Sequence, residues 1–208
     1  MSNPSSSLAD KLERKFHAME NTRSRLEVLA ARNLIPQRTA TQMYEGLFLN
    51  AHVVFEGFLE ELFVGLLVNG QGVQSTRSDI VPRIVVRSHS IVRELLFTSR
   101  RQYVDWLPYD RTLELAGKYF RGGRPFSDIS EPERLYLLKC HTIRNVIAHE
   151  SRDSVIKFKK RVLGSTPLPP HEKKPAGYLR GLYRVSPAQT RCENLMVQLR
   201  LIARNLAE

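Results

Sequence analysis

The sequence predicts an all-α fold, a helical bundle with a loop-rich C-terminal region and a closing helix. Apolar residues recur at helical spacing along several segments of the 208-residue chain. Helix-capping residues and turn residues fall between those segments. With 42% hydrophobic and 25% charged residues, the composition is that of an ordinary globular protein with enough apolar side chains for a substantial core.

Two long helices are expected in the first third of the chain. Ser7 or Asp10 is placed to cap the first helix, which runs to about Arg32. The second helix runs from about Arg38 to about Val68 and ends at the turn sequence NGQG. Both helices carry apolar stripes at helical spacing, formed by Leu12, Phe16, Met19, Leu26 and Leu29 in the first and by Met43, Leu47, Val54, Phe58, Leu62 and Leu66 in the second.

The middle of the chain contains shorter elements. In residues 79–96, DIVPRIVVRSHSIVRELL, Pro82 fits the first turn of a helix capped by Asp79, although IVPRIVV is also compatible with a short strand. The loop SRRQYVDWLPYDR follows and carries Trp106, the only tryptophan. A short helix, RTLELAGKYF, and a second loop, RGGRPFSD, complete this region.

A further helix is expected to open at Ser130. The spacing of Ser130 and Glu133 matches a capping box, and Pro132 lies in the first turn. Beyond this helix, GSTPLPPHEKKPAG is rich in Pro and Gly, which is typical of a linker or a long loop. These features predict a helical bundle over residues 1–160, a Pro- and Gly-rich loop or linker over 161–187, and a closing helix over 188–208.

The chain is strongly basic. Its 32 Lys and Arg residues against 21 Asp and Glu give a net charge of +11 at pH 7 and an isoelectric point near 10.0. Such a surplus favours a polyanionic partner, with nucleic acid ahead of a membrane surface or an acidic protein. The basic runs SRRQ, RGGR and KFKKR are either solvated surface or an electrostatic track for RNA. The track would consist of Arg100, Arg101, Arg121, Arg124, Lys157, Lys159 and Lys160.

Neither a secretory signal nor a membrane anchor is indicated. The N-terminal residues MSNPSSSLAD lack the apolar core of a signal peptide. The longest apolar stretch, VVFEGFLEELFVGLLV, is interrupted by Glu56, Glu60 and Glu61, so it does not predict a membrane span. Cys140 and Cys192 follow no metal-ligand pattern and suit a reducing compartment. We therefore expect a cytoplasmic protein with no metal site and no cofactor.

The stretch HTIRNVIAHES, residues 141–151, groups polar residues on one side of a helix. At about 100° per residue, His141, Arg144, Asn145 and His149 fall within a sector of roughly 140°. The small Ala148 leaves the surface open between them. The opposite sector, roughly 120° wide, is expected to face the core. It contains Tyr136, Cys140, Ile143, Val146 and Ile147.

These polar residues suit phosphodiester cleavage. Arg144 offers a planar fork of donors for phosphate oxygens, and His149 is able to take or give a proton near neutral pH. Asn145 is able to orient the phosphate or a nucleophile without adding charge. Because no carboxylate cluster or His/Cys ligand spacing accompanies them, metal-free cleavage is expected, and RNA favours it by supplying its own 2′-hydroxyl. The alternative is a solvated helix face, or one that is hydrogen-bonded to a neighbouring helix.

Three further side chains are assigned supporting roles. Glu56 or Glu60 either pairs with Arg144 and holds it in position or is simply surface charge. His141 shares the polar face but lies two turns before His149, so an edge or packing role is favoured over a catalytic one.

The stretch IRNVIAHE resembles the R-x4–6-H signature of HEPN domains, in the form where a polar residue follows the arginine. MYEGLFLNAHVVFEGFLEELF is similar to the long acid-bearing helix before the motif in the branch related to RiboL-PSP HEPN proteins. PFSDISEPERLYLLKCHTIRNVIAH resembles the approach to the motif helix in the same branch, so that the resemblance covers roughly residues 40–160. It implies a HEPN-like helical bundle with Arg144 and His149 as catalytic residues and Asn145 in a supporting role.

The same resemblance implies a metal-independent endoribonuclease that works as a homodimer with a composite active site, often in a toxin–antitoxin or antiphage system. Cleavage would proceed by attack of the 2′-hydroxyl and leave a 2′,3′-cyclic phosphate. An antitoxin or another defence-system protein would be a further partner. The alternative is a non-catalytic HEPN module that binds RNA, a nucleotide or a partner protein within such a complex.

Overall fold

A computed structural model describes residues 4–68, 80–96 and 104–207 of the chain. The helices within these ranges are α1 (Pro4–Ala31), α2 (Gln37–Leu67), α3 (His89–Leu96), α4 (Tyr109–Tyr119), α5 (Glu131–His149), α6 (Arg152–Phe158), α7 (Pro175–Arg180) and α8 (Arg191–Ala207). The strands of the described part are β1 (Leu182–Arg184) and β2 (Gln189–Thr190), which pair antiparallel with Leu182 opposite Thr190. The predicted all-α fold class is confirmed.

The described residues form two compact units. The first contains residues 4–13, 55–68, 80–96, 104–137 and 200–207, and the second contains residues 14–54 and 138–199. Helices α1, α2, α5 and α8 each contribute residues to both units. The units differ from the division at residues 160 and 187 that the composition suggested, because residues 161–187 fold together with the second half of α5 in the second unit.

An aromatic cluster forms the core of the first unit. The ring of Phe63 on α2 lies with its centroid 5.1 Å from the rings of Trp106, Phe120 and Phe126. Phe63, Phe120 and Phe126 are fully buried, and such aromatic contacts add to the free energy gained from burial alone. The hydroxyl of Tyr109 donates a hydrogen bond to the carbonyl of Phe126 at 3.0 Å, and burial raises the pKa of this phenol. Trp106, 3% exposed, is therefore a core residue of the first unit.

The prediction that a helix starts near Pro82 is wrong, and α3 begins only at His89. Residues 80–88 are extended or bent, and Pro82 forms an isolated antiparallel bridge with Phe120. The Arg83 amide donates to the Tyr119 carbonyl, and the Arg121 amide donates to the Val81 carbonyl, each at 2.8 Å. These backbone groups form hydrogen bonds with residues at the end of α4 and just after it, and not with residues four positions away as in a helix. This agrees with the alternative interpretation of the segment as a short strand. The predicted cap, Asp79, lies outside the described residues.

The predicted start of α1 is wrong, whereas the predicted start of α5 is confirmed. Helix α1 begins at Pro4, so Ser7 and Asp10 lie inside it, and Asp10 accepts a hydrogen bond from Arg204 at 2.7 Å instead of capping. The start of α5 is as predicted. The amide and the hydroxyl of Ser130 both donate to one Glu133 carboxylate oxygen at 2.7 Å. Burial acts to raise the pKa of Glu133, but the hydrogen bonds from Ser130 and a further one from Asn205 bring it below its ordinary value.

The segment predicted as a loop or linker is ordered and partly buried. A π-helical turn, Lys159–Leu163, continues α6, a 3₁₀ turn covers Pro170–Lys173, and α7 follows. Tyr178 on α7 is 4% exposed, and its ring packs edge-on against Phe158 at 5.9 Å. Gly177 allows α7 to approach the backbone of the preceding 3₁₀ turn, because an added Cβ would lie only 1.9 Å from the carbonyl oxygen of His171. Pro and Gly residues in this segment belong to closely packed turns. Composition alone does not distinguish such turns from a linker.

Arg180 ties α7 to α1 and α2 in the second unit. Its Nε and Nη2 donate to the two carboxylate oxygens of Glu27 at 3.0 and 2.9 Å. It also donates to Thr41 Oγ1 at 2.9 Å and to Gln37 Oε1 at 2.7 Å. Tyr44 donates its hydroxyl to the same Glu27 carboxylate at 2.8 Å. Partial burial acts to raise the pKa of Glu27, but the hydrogen bonds from Arg180 and Tyr44 lower it below its ordinary value.

The Glu27–Arg180 pair predicts how stability depends on pH. Because the pKa of Glu27 is lower in the folded state than in the unfolded chain, its stabilisation is present above an unfolded pKa of about 4.3 and is lost as the pH falls through the folded pKa. Arg180→Gln should lower the free energy of unfolding by about 1–3 kcal/mol at pH 7, since it leaves a half-buried carboxylate without its bidentate partner. The deficit should shrink at pH 3, as measured by urea denaturation. Arg184→Gln, on the exposed strand β1, is the matched control and should change stability by less than about 0.5 kcal/mol at either pH. An equal deficit at both pH values would contradict the assignment.

Candidate active site

Burial of one side of α5 fixes which residues point outward. Cys140, Ile143 and Val146 are buried as the spacing predicted, and Tyr136 and Ile147 are half-buried at the edges of that stripe. Leu137 is also fully buried, although helical spacing puts it on the polar side. Leu137 belongs to the first unit and the motif residues to the second, so the two halves of α5 bury different faces.

The polar face of α5 carries a continuous chain of hydrogen bonds. Arg144 Nη1 lies 3.2 Å from His149 Nε2 and donates to Asn145 Oδ1, also at 3.2 Å. Asn145 Nδ2 lies 2.8 Å from His141 Nε2. Arg144, Asn145 and His141 are half-buried, whereas His149 is exposed. The residues that the sequence grouped by angle are therefore in direct contact in the folded chain.

The direction of each hydrogen bond follows from which atoms have a lone pair. Arginine has donors only, so the Asn145 atom that faces Arg144 has to be the amide oxygen and its amide nitrogen turns to His141. The Nε2 atoms of His141 and His149 then both act as acceptors, which places the proton of each neutral ring on Nδ1. In this arrangement, His149 presents Arg144 with the lone pair that a general base needs.

His149 is the last residue of α5 and lies at an open end of the helix. Glu150 follows with a positive φ of 43° and its amide donates to the Val146 carbonyl at 3.2 Å, which closes the final turn. Ala148 and His149 are both exposed. A bulky substrate is therefore able to reach the imidazole without the displacement of any side chain from the core.

Arg144, at the centre of this chain of hydrogen bonds, still has donors that are available to a ligand. Both of its hydrogen bonds within the described residues use Nη1. The Nε and Nη2 donors remain for an external anion, in the forked geometry that matches two phosphate oxygens. The site therefore combines an available cation with a proton acceptor on one exposed surface.

The supporting carboxylates lie on α2 in the first unit. Glu60 accepts a hydrogen bond from Arg93 at 3.0 Å, so it has a different partner from the Arg144 that the sequence suggested. Glu56 is half-buried, and its pairing with Arg144 stays a prediction. His52, which the motif did not single out, is 2% exposed on α2, and its ring centroid lies 6.3 Å from that of His141. Only the tertiary structure brings this histidine beside the site, because 88 residues separate it from His141 along the chain.

The predicted RNA track is distributed over both units. Arg121 and Arg124 lie in the first unit, where Arg124 pairs with Asp128 at 3.4 Å. Lys157, Lys159 and Lys160 lie in the second unit, and Lys157 pairs with Asp153 at 2.6 Å. Arg100 and Arg101 lie outside the described residues. An RNA track over these seven residues stays a prediction.

The two cysteines are structural. Cys140 and Cys192 are free thiols with no exposed surface, and burial raises the pKa of each to about 12. Neither thiol is placed to act as a nucleophile. Within residues 4–68, 80–96 and 104–207, no group of three or more His, Cys, Asp or Glu side chains is arranged to hold a metal ion.

Comparisons with known proteins leave the site to be interpreted from its own geometry. This chain matches no model of a protein family, no curated protein and no solved structure. In the described part of the chain, no helix is both long and apolar enough to cross a lipid bilayer.

The hydrogen-bond chain predicts the tautomers of two histidines. At about pH 8, nitrogen NMR of the imidazole rings should show the Nδ1–H form for both His141 and His149. Arg144→Met should alter the His149 ring signals and leave those of His141 in place, while Asn145→Leu should alter those of His141 most strongly. An Nε2–H tautomer at His149 in the wild-type protein would contradict the contact with Arg144.

Proposed function

We propose that this chain is a HEPN-type endoribonuclease that cleaves RNA without a metal ion. The observation that carries the proposal is the exposed end of α5, where Arg144 contacts both Asn145 and the imidazole of His149. The net charge of +11 supports a polyanionic substrate. The resemblance of IRNVIAHE to the HEPN signature supports a ribonuclease within that class. In this proposal the protein is a toxin or antiphage effector that acts on RNA in the cytoplasm, restrained by an antitoxin or another defence-system protein.

The scissile phosphate binds to Arg144 through the Nε and Nη2 donors. Negative charge accumulates on the non-bridging oxygens as the phosphorus becomes five-coordinate, and the guanidinium remains charged throughout. Binding of the phosphate draws Arg144 away from His149 Nε2. This nitrogen then accepts a hydrogen bond from the substrate's 2′-hydroxyl instead of from Arg144. Asn145, held by His141, keeps one side of the guanidinium in position.

Cleavage exchanges one phosphorus–oxygen bond for another. His149 removes the proton of the 2′-hydroxyl while the 2′-oxygen forms a bond to phosphorus and the bond to the 5′-oxygen breaks. The products are a 2′,3′-cyclic phosphate and a 5′-hydroxyl. The leaving 5′-oxygen needs a proton from an acid on the opposite side of the phosphate. A homodimer supplies that acid as the His149 of the partner subunit, in its protonated form.

Replacing His149 with alanine tests the chemistry. His149→Ala should reduce cleavage of total RNA, measured in EDTA, by about 10²–10⁴-fold, the range expected for the loss of one general acid–base group. Stability should change by less than about 0.5 kcal/mol because the side chain is exposed. His89→Ala is the matched control, since it removes another exposed histidine at the start of α3. RNA that is bound by the wild-type protein but never cut would instead favour the non-catalytic binding module.

A mixing experiment tests whether two chains share one site. Wild-type and His149→Ala chains are combined in equal amounts, and subunit exchange is verified by native mass spectrometry. Independent sites predict about half of the wild-type activity, while a site that needs both histidines predicts about one quarter, because only wild-type pairs are active. We expect one quarter. One half, with exchange complete, would exclude the composite site.

A further inference from the structure

The second unit contains a cavity of about 660 Å³ on the side of α5 away from the candidate active site. Val146, Ile147 and Glu150 contribute to its wall, and these residues lie roughly 140–240° around the helix from His141. Arg144 and His149 are on the other side. Ligand-binding cavities in proteins are commonly about 300–1,000 Å³, so this one is large enough for a small molecule.

Four cations surround the cavity. Arg38 comes from the first turn of α2, Lys159 from the π-helical turn after α6, and Lys173 and Lys174 from the segment before α7. All four are exposed, and none forms an ion pair within the part of the chain that the structure describes. By contrast, Lys157 on α6 is paired with Asp153 at 2.6 Å. The four positive charges at this cavity are therefore not neutralised by ion pairs among the described residues.

A carboxylate lies deeper in the same cavity. Glu45 is half-buried and accepts a hydrogen bond from the backbone amide of Ala176 in the first turn of α7. Burial raises the pKa of Glu45, and the nearby carboxylate of Glu150 raises it further. Neither acid is neutralised by the four cations. A hydroxyl or amino group of a ligand would find an acceptor here.

The remaining wall is mixed, with polar groups from Thr41, Gln42 and His171 beside an apolar part. Val155 and Pro175 join Val146 and Ile147 in the lining. The segment that carries Lys173 and Lys174 is held against α7 by the close approach at Gly177, where a Cβ would overlap the carbonyl of His171. The backbone that carries Lys173 and Lys174 is therefore part of a packed segment.

We propose that this cavity binds a small phosphate ester whose body carries hydroxyl or amino donors. A phosphate group carries a charge of about −1.5 to −2 at neutral pH, which suits four cations opposed by two carboxylates. The phosphate contacts Lys159, Lys173, Lys174 and Arg38 at the mouth. The donors face Glu45, and the apolar wall covers the rest. Sugar phosphates and nucleoside monophosphates share this chemistry. The inference does not depend on the proposed ribonuclease activity, because it uses none of Arg144, Asn145 and His149, although Lys159 also belongs to the predicted RNA track.

Isothermal titration of the full chain tests the site with ribose 5-phosphate, adenosine monophosphate, their unphosphorylated parents and inorganic pyrophosphate. We expect at least one of the two esters to bind, and ribose and adenosine not to bind. Lys159→Glu should weaken binding of the ester by about tenfold or more, as expected for a charge-assisted contact. Lys160→Glu makes the same change of charge at the neighbouring residue, which does not line the cavity, and should leave binding within about twofold.

Glu45→Gln distinguishes the contacts made by the phosphate from those made by the hydroxyl or amino groups of the ligand. It should strengthen the binding of pyrophosphate, which is repelled by the carboxylate, and weaken the binding of the ester whose donors it accepts. If Lys159→Glu fails to fold, as judged by circular dichroism, Lys173→Glu replaces it. Failure of both esters to bind would overturn the proposal. So would equal losses in Lys159→Glu and Lys160→Glu, or displacement of the ester by a short single-stranded RNA, which would mean that the cations serve the RNA surface.

Discussion

The buried stripe of Cys140, Ile143 and Val146 on α5 determines where the functional groups of this protein lie. Once these three side chains are removed from water, a helix of 3.6 residues per turn has to present His141, Arg144, Asn145 and His149 on the other side. No loop has to fold to assemble them. Contact between these four side chains is thus a consequence of helix geometry combined with core packing.

The ends of α5 add the second constraint. Ser130 and Glu133 fix where the helix begins, and the left-handed Glu150 fixes where it ends. His149 is consequently the final helical residue, accessible to solvent yet still within one hydrogen bond of Arg144. A helix one turn longer would place further side chains beside the imidazole and restrict access for a large substrate. The exposed position of the imidazole leaves room for a polymeric substrate, which the proposed ribonuclease activity requires.

The same turns of α5 face two different chemical environments. One face carries Arg144 and His149, and the other borders the cavity that Lys159, Lys173 and Lys174 surround. Glu150 lines that cavity and directly follows His149 in the chain. The cavity depends on the ordered segment before Arg180, which the hydrogen bonds of Arg180 to Glu27, Gln37 and Thr41 hold against α1 and α2.

The sequence by itself determined the local features. The capping box at Ser130 and the polar face of α5 are set by residues within a few turns of one another, and both are present in the structure. The apolar stripe predicted for α2 holds in the second half of the helix, where Phe58, Leu62 and Leu66 are buried, but not at Met43, which is exposed. The interpretation of Pro82 failed because that backbone is satisfied by Phe120 and its neighbours, 37 or more residues away, and no local pattern records such a partner. The segment over residues 161–187 was predicted as a loop or linker because Gly and Pro occur in linkers, but they also occur in closely packed turns such as those found here.

The tertiary structure alone decided which distant groups meet. It brought His52 beside His141, directed Glu60 to Arg93, and collected Arg38, Glu45 and three lysines from separate segments around one cavity. These contacts depend on how helices pack, and packing is set by the summed burial of many apolar side chains across the chain. Helical period is a property of neighbouring residues and can be counted along the sequence. Proximity between helices is a property of the whole core, and this chain's sequence carries no local mark of it.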